Sequence, residues 1–267
     1  LNKFGDFDNS INFFKKSINL NHDYHLAYVN LGALQKYLGL YNDAIDTYLS
    51  SLNYKVNYED IYVNLSEIYI MLKKFDLAND YAKKAIKINS SNYLALNNLA
   101  TCKIYYGKQS EAIDLLENAK IINHSFFGTH FNLGMAYKNL GDYKNAISAF
   151  EDSIKLNSEF YESHFTLSEI QLSKNNFSKG WVNYEHRWDR NNPPVKINFS
   201  KPQWEPKLGY KKILLWEEQG IGDQILFSSI INDLIKKFEK IYLLTDKRLV
   251  DIYKYNFPQI VVLSKSD

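Results

Sequence analysis

The sequence contains little cysteine and has almost no excess of charge. Its single cysteine, Cys102, excludes an internal disulfide and favours a reducing compartment, so we expect a cytoplasmic protein. Cys102 lies at an apolar position of a helical pattern, which predicts a buried side chain rather than a nucleophile. The 32 Lys and Arg residues against 30 Asp and Glu give a formal charge of +2. This balance predicts neither a nucleic-acid interface nor a membrane-binding surface.

Long apolar runs and metal-ligand patterns are also missing from the sequence. No run approaches the roughly 20 apolar residues that cross a bilayer, and no signal peptide is visible, so we predict no membrane span. The six histidines show no metal-site spacing with a cysteine or carboxylate, and we predict no metal site. His130 and His164 lie 34 residues apart, so a sequence repeat explains their spacing.

A period of 34 residues organises the chain from Gly5 to Gly180. Ala146, for example, has counterparts at Ala112 and Ala78. Within each unit the apolar residues follow helical spacing twice, with a turn between the two helices. A single helix pair cannot bury its apolar side alone, so the units must stack into an α-solenoid.

These units resemble the tetratricopeptide repeat. The proline that usually closes such a unit is replaced, and other residues end the helices there: His22, Val56, Ser90, His124 and Ser158. The predicted solenoid covers residues 1–190, with a partial unit at 1–24, full units at 25–58, 59–92, 93–126 and 127–160, and a capping unit at 161–190.

Asparagine recurs at one position of the predicted first helices, which by resemblance line a concave groove. An asparagine amide can both donate and accept, so such a row could pair with the backbone of an extended peptide. The row is similar to one in the repeat domain of O-linked N-acetylglucosamine transferases. Alternatively, these side chains only bond a neighbouring helix. The four residues are Asn30, Asn64, Asn98 and Asn132.

We therefore predict a protein or peptide partner in the groove. The groove lacks the clustered Lys and Arg that would hold a chaperone's acidic C-terminus, which disfavours that partner. Its apolar side chains instead suit an apolar or aromatic-bearing partner. These side chains are Val29, Tyr37, Val63, Phe131 and Phe165.

The period fails at Gly180, where an aromatic stripe is predicted to close the solenoid and dock the next domain. Four of the five prolines then fall within Pro193–Pro206, which predicts an extended connection over residues 191–210. Trp204 is expected to pin this connection onto a folded surface. The stripe consists of Trp181, Tyr184 and Trp188.

The pattern changes again over residues 211–267. Three short apolar runs, at residues 213–216, 241–244 and 260–263, predict strands separated by helices. This alternation predicts a parallel sheet with right-handed crossovers, which binds ligands at the carboxyl ends of its strands. The predicted fold class is therefore mostly α: a tetratricopeptide α-solenoid followed by the start of a Rossmann-like α/β domain.

The turn EEQGIGDQ, residues 217–224, follows the first predicted strand. Gly220 and Gly222 predict a tight turn that a ligand can approach closely. The third glycine of a dinucleotide fingerprint is missing, and no phosphate-loop lysine follows. Asp223 is predicted either to cap the next helix or to act as a general base toward an acceptor hydroxyl.

After the repeats, the sequence carries the motifs GW, YE and RW from Gly180, the Pro-rich link with Trp204, and WEEQGIGDQ followed by Phe227. The order of these motifs resembles that of bacterial tetratricopeptide-fused glycosyltransferases. The catalytic part of those enzymes is similar to the heptosyltransferase family, which has two Rossmann-like lobes in a GT-B arrangement. The resemblance implies that Asp223 is the catalytic base of a metal-independent transfer. It also implies an acceptor side formed by other residues of the turn: Glu218, Gly220, Gly222 and Gln224.

By the same resemblance, residues 211–267 are the truncated N-terminal part of the first lobe, and the nucleotide-sugar lobe would follow. We expect a nucleotide-sugar donor and a glycan or protein acceptor for the full-length protein, no cofactor in the present residues, and no activity from them alone. The alternative is a non-catalytic scaffold that binds proteins through its asparagine-lined groove.

Overall fold

The computed structural model describes residues 7–54, 58–191, 193–194, 196–197, 199–205, 209–218 and 220–264. Residue contacts divide the chain into two units, Leu1–Arg190 and Asn191–Asp267.

The described part of the first unit consists of helix pairs joined by short turns, which confirms the predicted tetratricopeptide-type α-solenoid. The even-numbered helices from α2 to α10 are the first helices of successive units, and a 3-10 turn at Glu185–Trp188 follows α11. The helices are α1 Phe7–Leu20, α2 His25–Tyr37, α3 Tyr41–Ser51, α4 Tyr58–Met71, α5 Phe75–Ile88, α6 Tyr93–Tyr105, α7 Gln109–Ile122, α8 Phe127–Asn139, α9 Tyr143–Leu156, α10 Tyr161–Ser173 and α11 Phe177–Tyr184.

Each first helix ends in the same turn. After α2, for example, the N–H of Leu40 donates to the carbonyl of Gln35 at 2.8 Å, which closes a Schellman motif. The motif needs one residue with left-handed backbone, which glycine adopts without steric cost. The residues at this position are Gly39 (φ 76°), Lys73 (58°), Gly107 (73°), Gly141 (77°) and Asn175 (60°).

An asparagine makes the turn from a second helix to the next first helix after α1, α5, α7 and α9, whereas the terminator predicted after α3, Val56, lies outside the described residues. The side-chain oxygen of Asn89 accepts the N–H of Ser91 at 3.0 Å, and this local bond ends the helix without the usual proline. Sequence reasoning assigned helix termination to the residue after each asparagine and missed the side chain responsible. The same bond forms at Asn21, Asn123 and Asn157.

Inside each unit, a small residue on the first helix faces a residue on the second. A Cβ atom added to Gly134 would lie 2.6 Å from the fully buried ring of Phe150, so the two helices can approach only because Gly134 has no side chain. Phe150 also shares a buried cluster with Leu167 of the next unit, which joins the two units. Gly32 and Tyr48 repeat the same close approach in residues 25–58.

The first helices line the inner side of the stack. Helix α4 contacts α2 and α6 directly, and α6 contacts α8, whereas the second helices mainly contact the first helices beside them. Because the first helices lie closer together, the solenoid curves around them. The inner face is the side of the first helices that points away from the packed core of the helix pairs, toward the inside of this curve.

The second unit contains a small parallel sheet, as predicted. Its strand order is β1-β2-β3, with Ile213 paired to Ile241 and Leu243 paired to Val262. The predicted helix between the first two strands is divided into two helices by a 3-10 turn at Ser228–Ile230. The elements are β1 Lys212–Trp216, α12 Ile221–Phe227, α13 Ile231–Ile235, β2 Lys240–Thr245, α14 Val250–Asn256 and β3 Val261–Ser264.

The core of this unit lies between the sheet and its helices. Ile231 and Tyr253 from the helices pack with Ile241 and Val262 from the strands in one buried cluster. The Trp204 ring lies 5.9 Å from the ring of Phe238, in an edge-to-face contact that matches the expected anchoring of the connection.

Candidate functional site

Two of the predicted asparagines connect neighbouring first helices. The side-chain amide of Asn98 donates to the carbonyl of Val63 at 3.1 Å. The amide of Asn132 donates to the side-chain oxygen of Asn97 at 3.2 Å. These contacts are the inter-helix bonds considered from the sequence. Since an asparagine amide can make up to four hydrogen bonds, they do not exhaust its capacity.

The other two asparagines make no such connection between units in the described residues. Asn64 donates to the carbonyl of Asp60 at 2.8 Å, one turn earlier in the same helix. Asn30 is exposed on α2. The row is therefore regular in sequence but not in bonding, and its peptide-binding role stays a prediction.

Large apolar side chains are exposed at one repeat position of the inner face. The exposed fractions are 77% for Tyr37, 47% for Met71 and 62% for Tyr105. The Tyr105 ring stacks on Phe75 with a centroid separation of 3.8 Å and an interplanar angle of 16°. The ring is thus exposed and yet held in place, as is typical of residues that anchor a partner.

The apolar groove residues predicted from the sequence divide into core and surface. Val63 is only 6% exposed and packs in a buried cluster with Ala85 and Ala95, so assigning it to the groove was wrong. The Val63 side chain lies against Ala95 of the next first helix, α6, rather than in solvent. Phe131 is half-buried against Phe150, whereas Tyr37 is exposed.

Charged side chains of the inner face are paired across neighbouring units. The Nζ atom of Lys36 lies 2.7 Å from a carboxylate oxygen of Glu67, and Lys138 lies 2.6 Å from Glu169. These two pairs occupy the same positions in their units. Because each lysine already has a carboxylate partner, neither is available to hold an acidic ligand without breaking its pair.

Two further polar contacts involve residues at the start of first helices: His25 and Asp60 lie on the neighbouring helices α2 and α4, and Glu162 and Arg190 lie within the unit 161–190. The imidazole of His25 contacts Asp60 at 3.0 Å. Arg190 contacts Glu162 at 2.7 Å, and its guanidinium lies 4.1 Å from the centre of the Phe165 ring. Charge is thus neutralised at Lys36, Lys138 and Arg190, each of which has a carboxylate partner.

The histidines that share a repeat position have a structural bond in common. His130 bonds the carbonyl of His124 at 2.9 Å, and His164 bonds the carbonyl of Ser158 at 3.1 Å. In the described ranges, no group of His, Cys, Asp and Glu could hold a metal ion. No helix in those ranges combines the length and apolar character needed to cross a bilayer.

The predicted turn of the second unit joins β1 to α12. Gly220 precedes the helix with φ −65° and ψ 169°, a conformation open to any residue, and a Cβ at Gly220 or Gly222 would meet no atom within 4 Å. Gly220 thus does not use the special backbone freedom of glycine, and both glycines leave room near the backbone. Asp223 is the third residue of α12, and Gly220 holds the cap position predicted for it.

Gln224 links α12 to the rest of the sheet unit. Its side-chain oxygen accepts the hydroxyl of Thr245 at 2.8 Å, and its carbonyl accepts the Tyr253 hydroxyl at 2.9 Å. Glu218, also predicted to contact substrate, is half-buried in the turn, and Gln219 lies outside the described residues. Gln224 thus has a positioning role that its place in the turn did not reveal.

The carboxyl ends of β1 and β2 also bring together charged residues that sequence reasoning missed. Glu217 accepts the backbone N–H of Asp246 at 2.9 Å. Arg248 donates to both carboxylate oxygens of Asp246 at 2.9 Å and holds the pKa of that carboxyl well below its usual range. The available signal was an acid close after each of the first two predicted strands, Glu217 and Asp246, because parallel strands end at one edge of the sheet.

Comparisons with known proteins agree with the solenoid fold. The family model described as tetratricopeptide repeat matches residues 59–92 and 127–160. The model described as anaphase-promoting complex subunit 5 matches residues 3–55. No curated protein matches the chain.

Several solved structures are similar to this chain. The APC/C hetero-tetramer Cut9–Hcn1 matches with 21% identity and a TM-score of 0.63, covering 68% of this chain but only 36% of that chain. A thermophilic TPR protein in Thermus thermophilus matches with 17% identity and a TM-score of 0.55, covering 62% of this chain and 91% of that one. A tetratricopeptide repeat protein from Parabacteroides merdae has 16% identity and a TM-score of 0.55, with 71% of this chain and 75% of that one covered.

At these identities the similarity establishes the fold alone. The chain contains a tetratricopeptide-type solenoid, an architecture suited to protein–protein interaction through the face formed by successive helices.

Proposed function

We propose that the solenoid is a scaffold that binds an extended peptide segment of a partner protein on its inner face. The observation that carries this proposal is the exposure of Tyr37, Met71 and Tyr105 at one repeat position in three successive units. Exposed apolar side chains that recur at one position of successive units mark a candidate interaction surface. The asparagine row supports the same assignment, since Asn98 and Asn132 retain hydrogen-bonding capacity for a peptide backbone.

The proposal is tested with a random peptide library selected on the intact chain, followed by affinity measurements with a purified selected peptide. Tyr105→Ala removes an exposed ring already fixed by stacking, so we expect about a tenfold loss of affinity or more. Leu77→Ala is the matched control, because Leu77 is 42% exposed but lies on the second helix α5. Selected peptides that bind equally well to both variants would refute inner-face binding.

For the second unit we propose, as its resemblance implies, the acceptor half of a sugar-transfer site. Asp223 would take the proton from the acceptor hydroxyl, with Glu218, Gly220 and Gly222 beside the acceptor and Gln224 positioning the loop. The place of this turn at the carboxyl end of β1 in a parallel sheet supports the proposal, because ligands of such sheets bind there. A nucleotide sugar would be the donor in the full-length protein.

This second proposal is tested by nucleotide-sugar turnover in the full-length protein. Loss of a general base typically lowers the rate by about 100-fold or more, which is the effect expected for Asp223→Asn. Asp233→Asn is the control, since Asp233 is an exposed acid on the adjacent helix α13. Undiminished transfer by the Asp223 variant would eliminate the base assignment.

A further inference from the structure

The ion pairs of the inner face divide it into sections of different chemistry. Lys36 with Glu67, and Lys138 with Glu169, each join the twelfth residue of one unit to the ninth residue of the next. The first pair connects α2 to α4, and the second connects α8 to α10. Both pairs are therefore at the outer junctions of the stack.

The two junctions between these ion pairs contain no charge at the same positions. Ile70 and Thr101 replace the pair between α4 and α6, and Ile104 and Met135 replace it between α6 and α8. The Thr101 hydroxyl donates to the carbonyl of Asn97 at 3.0 Å, within its own helix. The half-exposed side chains of these four residues are consequently apolar, apart from the Thr101 hydroxyl, which is already bonded.

The exposed side chains of Met71 and Tyr105 adjoin these junctions in sequence. Together they form what we call the neutral section: Ile70, Met71, Thr101, Ile104, Tyr105 and Met135. It is bounded on both sides by lysines and glutamates that satisfy one another.

We propose that the neutral section selects an uncharged, apolar peptide segment. The proposal rests on the peptide-binding function proposed above and specifies its ligand. A charged side chain placed on this section would lose water and find no partner there, which opposes binding. The ion pairs at its two ends, Lys36–Glu67 and Lys138–Glu169, would have to break to compensate that charge.

The geometry also specifies a spacing along the ligand. Packed helices lie about 8–10 Å apart, so the α4–α6 and α6–α8 junctions repeat at about that distance. A polyproline-II segment rises about 3.1 Å per residue with three residues per turn, so residues i and i+3 lie on one side about 9 Å apart. We therefore expect apolar side chains three residues apart in the ligand.

The test uses synthetic peptides with both ends blocked, measured by fluorescence anisotropy on the whole chain. The first peptide carries leucines at i and i+3 in a proline- and alanine-containing frame. Its counterparts carry the leucines at i and i+2, or contain one aspartate or one lysine between them. We expect the first peptide to bind, and each counterpart to bind about tenfold more weakly or worse.

A pair of protein variants locates the selectivity. Ile70→Lys with Thr101→Glu introduces at the α4–α6 junction the same ion pair that the chain tolerates at two equivalent junctions, so the solenoid should fold. We expect it to lower affinity for the neutral peptide about tenfold or more. The control exchanges the residues of an existing pair outside the neutral section, Lys36→Glu with Glu67→Lys, and should leave affinity unchanged.

The possible results separate this inference from the function on which it rests. Equal affinity for neutral and charged peptides, or full affinity in the Ile70→Lys/Thr101→Glu variant, would overturn the selectivity while inner-face binding stands. Failure of both the blocked and the library-selected peptides to bind, or binding insensitive to Tyr105→Ala, would overturn the peptide-binding function itself.

Discussion

The contact between Gly134 and Phe150 determines how closely one helix pair can pack. A Cβ added to Gly134 would lie 2.6, 2.7 and 2.8 Å from three ring carbons, whereas carbon atoms normally rest about 3.5–4.0 Å apart. The ring is fully buried and clusters with Leu167 and Ile170, so it has little room to move away. Gly134→Ala is therefore expected to destabilise the solenoid.

The magnitude follows from two opposing effects. Overpacking of this kind costs about 1–3 kcal/mol. Alanine is favoured over glycine within a helix by about 0.5–1 kcal/mol, which offsets part of that cost. For Gly134→Ala we expect a net decrease of about 1–2 kcal/mol in the free energy of unfolding.

A second substitution provides the decisive comparison. Phe150→Leu alone should cost about 1–2 kcal/mol through lost burial and a cavity. Together with Gly134→Ala it recreates the combination of Ala100 and Leu116, which share a buried cluster in residues 93–126. The two substitutions should then cost about 1–2 kcal/mol less than the sum of their separate effects.

Urea unfolding of the four proteins, followed by far-UV circular dichroism, measures this coupling. The helical signal reports mainly on the solenoid, which contains most of the helical residues. Strictly additive effects, or a Gly134→Ala protein more stable than the parent, would refute the argument from steric overlap.

Three other predictions concern single positions. Lys73 holds the left-handed turn position with φ 58°, so Lys73→Gly should raise the free energy of unfolding by about 0.5–1 kcal/mol. Gly107→Ala makes the inverse change at the equivalent position and should lower the midpoint temperature of thermal unfolding. Cys102 is fully buried, and burial raises its pKa to about 11, so a thiol reagent should modify it only after denaturation; prompt labelling of the native protein would contradict this. The hydrogen bond to Asp76 raises the pKa of Tyr106 from 10.0 to about 12. The bond therefore stabilises the fold below pH 10.0, and this stabilisation is lost as the pH rises through about 12. Asp76→Asn should return the pKa of Tyr106 toward 10.0 in an NMR titration, and an unchanged value would contradict the assignment.

Sequence reasoning was most accurate where structure depends on nearby residues. The apolar spacing in residues 127–160, for example, predicted two helices joined by a turn, and the structure has α8 and α9 there. Sequence reasoning was less accurate at the turn before α12, where Asp223 lies inside the helix and Gly220 needs no special conformation. The start of a short helix depends on how its strand and sheet are placed, and the eight-residue pattern at 217–224 does not contain that information.

The amino-acid pattern alone predicts the 34-residue period, the helix-turn-helix units, the alternation of strands and helices after residue 211, and the burial of Cys102. Each of these follows from hydrophobic spacing or backbone preference within a few turns of chain. Which side chains meet across neighbouring elements depends instead on how the folded elements pack. The tertiary structure places Asn98 against Val63, pairs Lys36 with Glu67, and binds Gln224 to Thr245. These contacts join residues 35, 31 and 21 positions apart, and their geometry depends on how helices and strands pack rather than on local spacing.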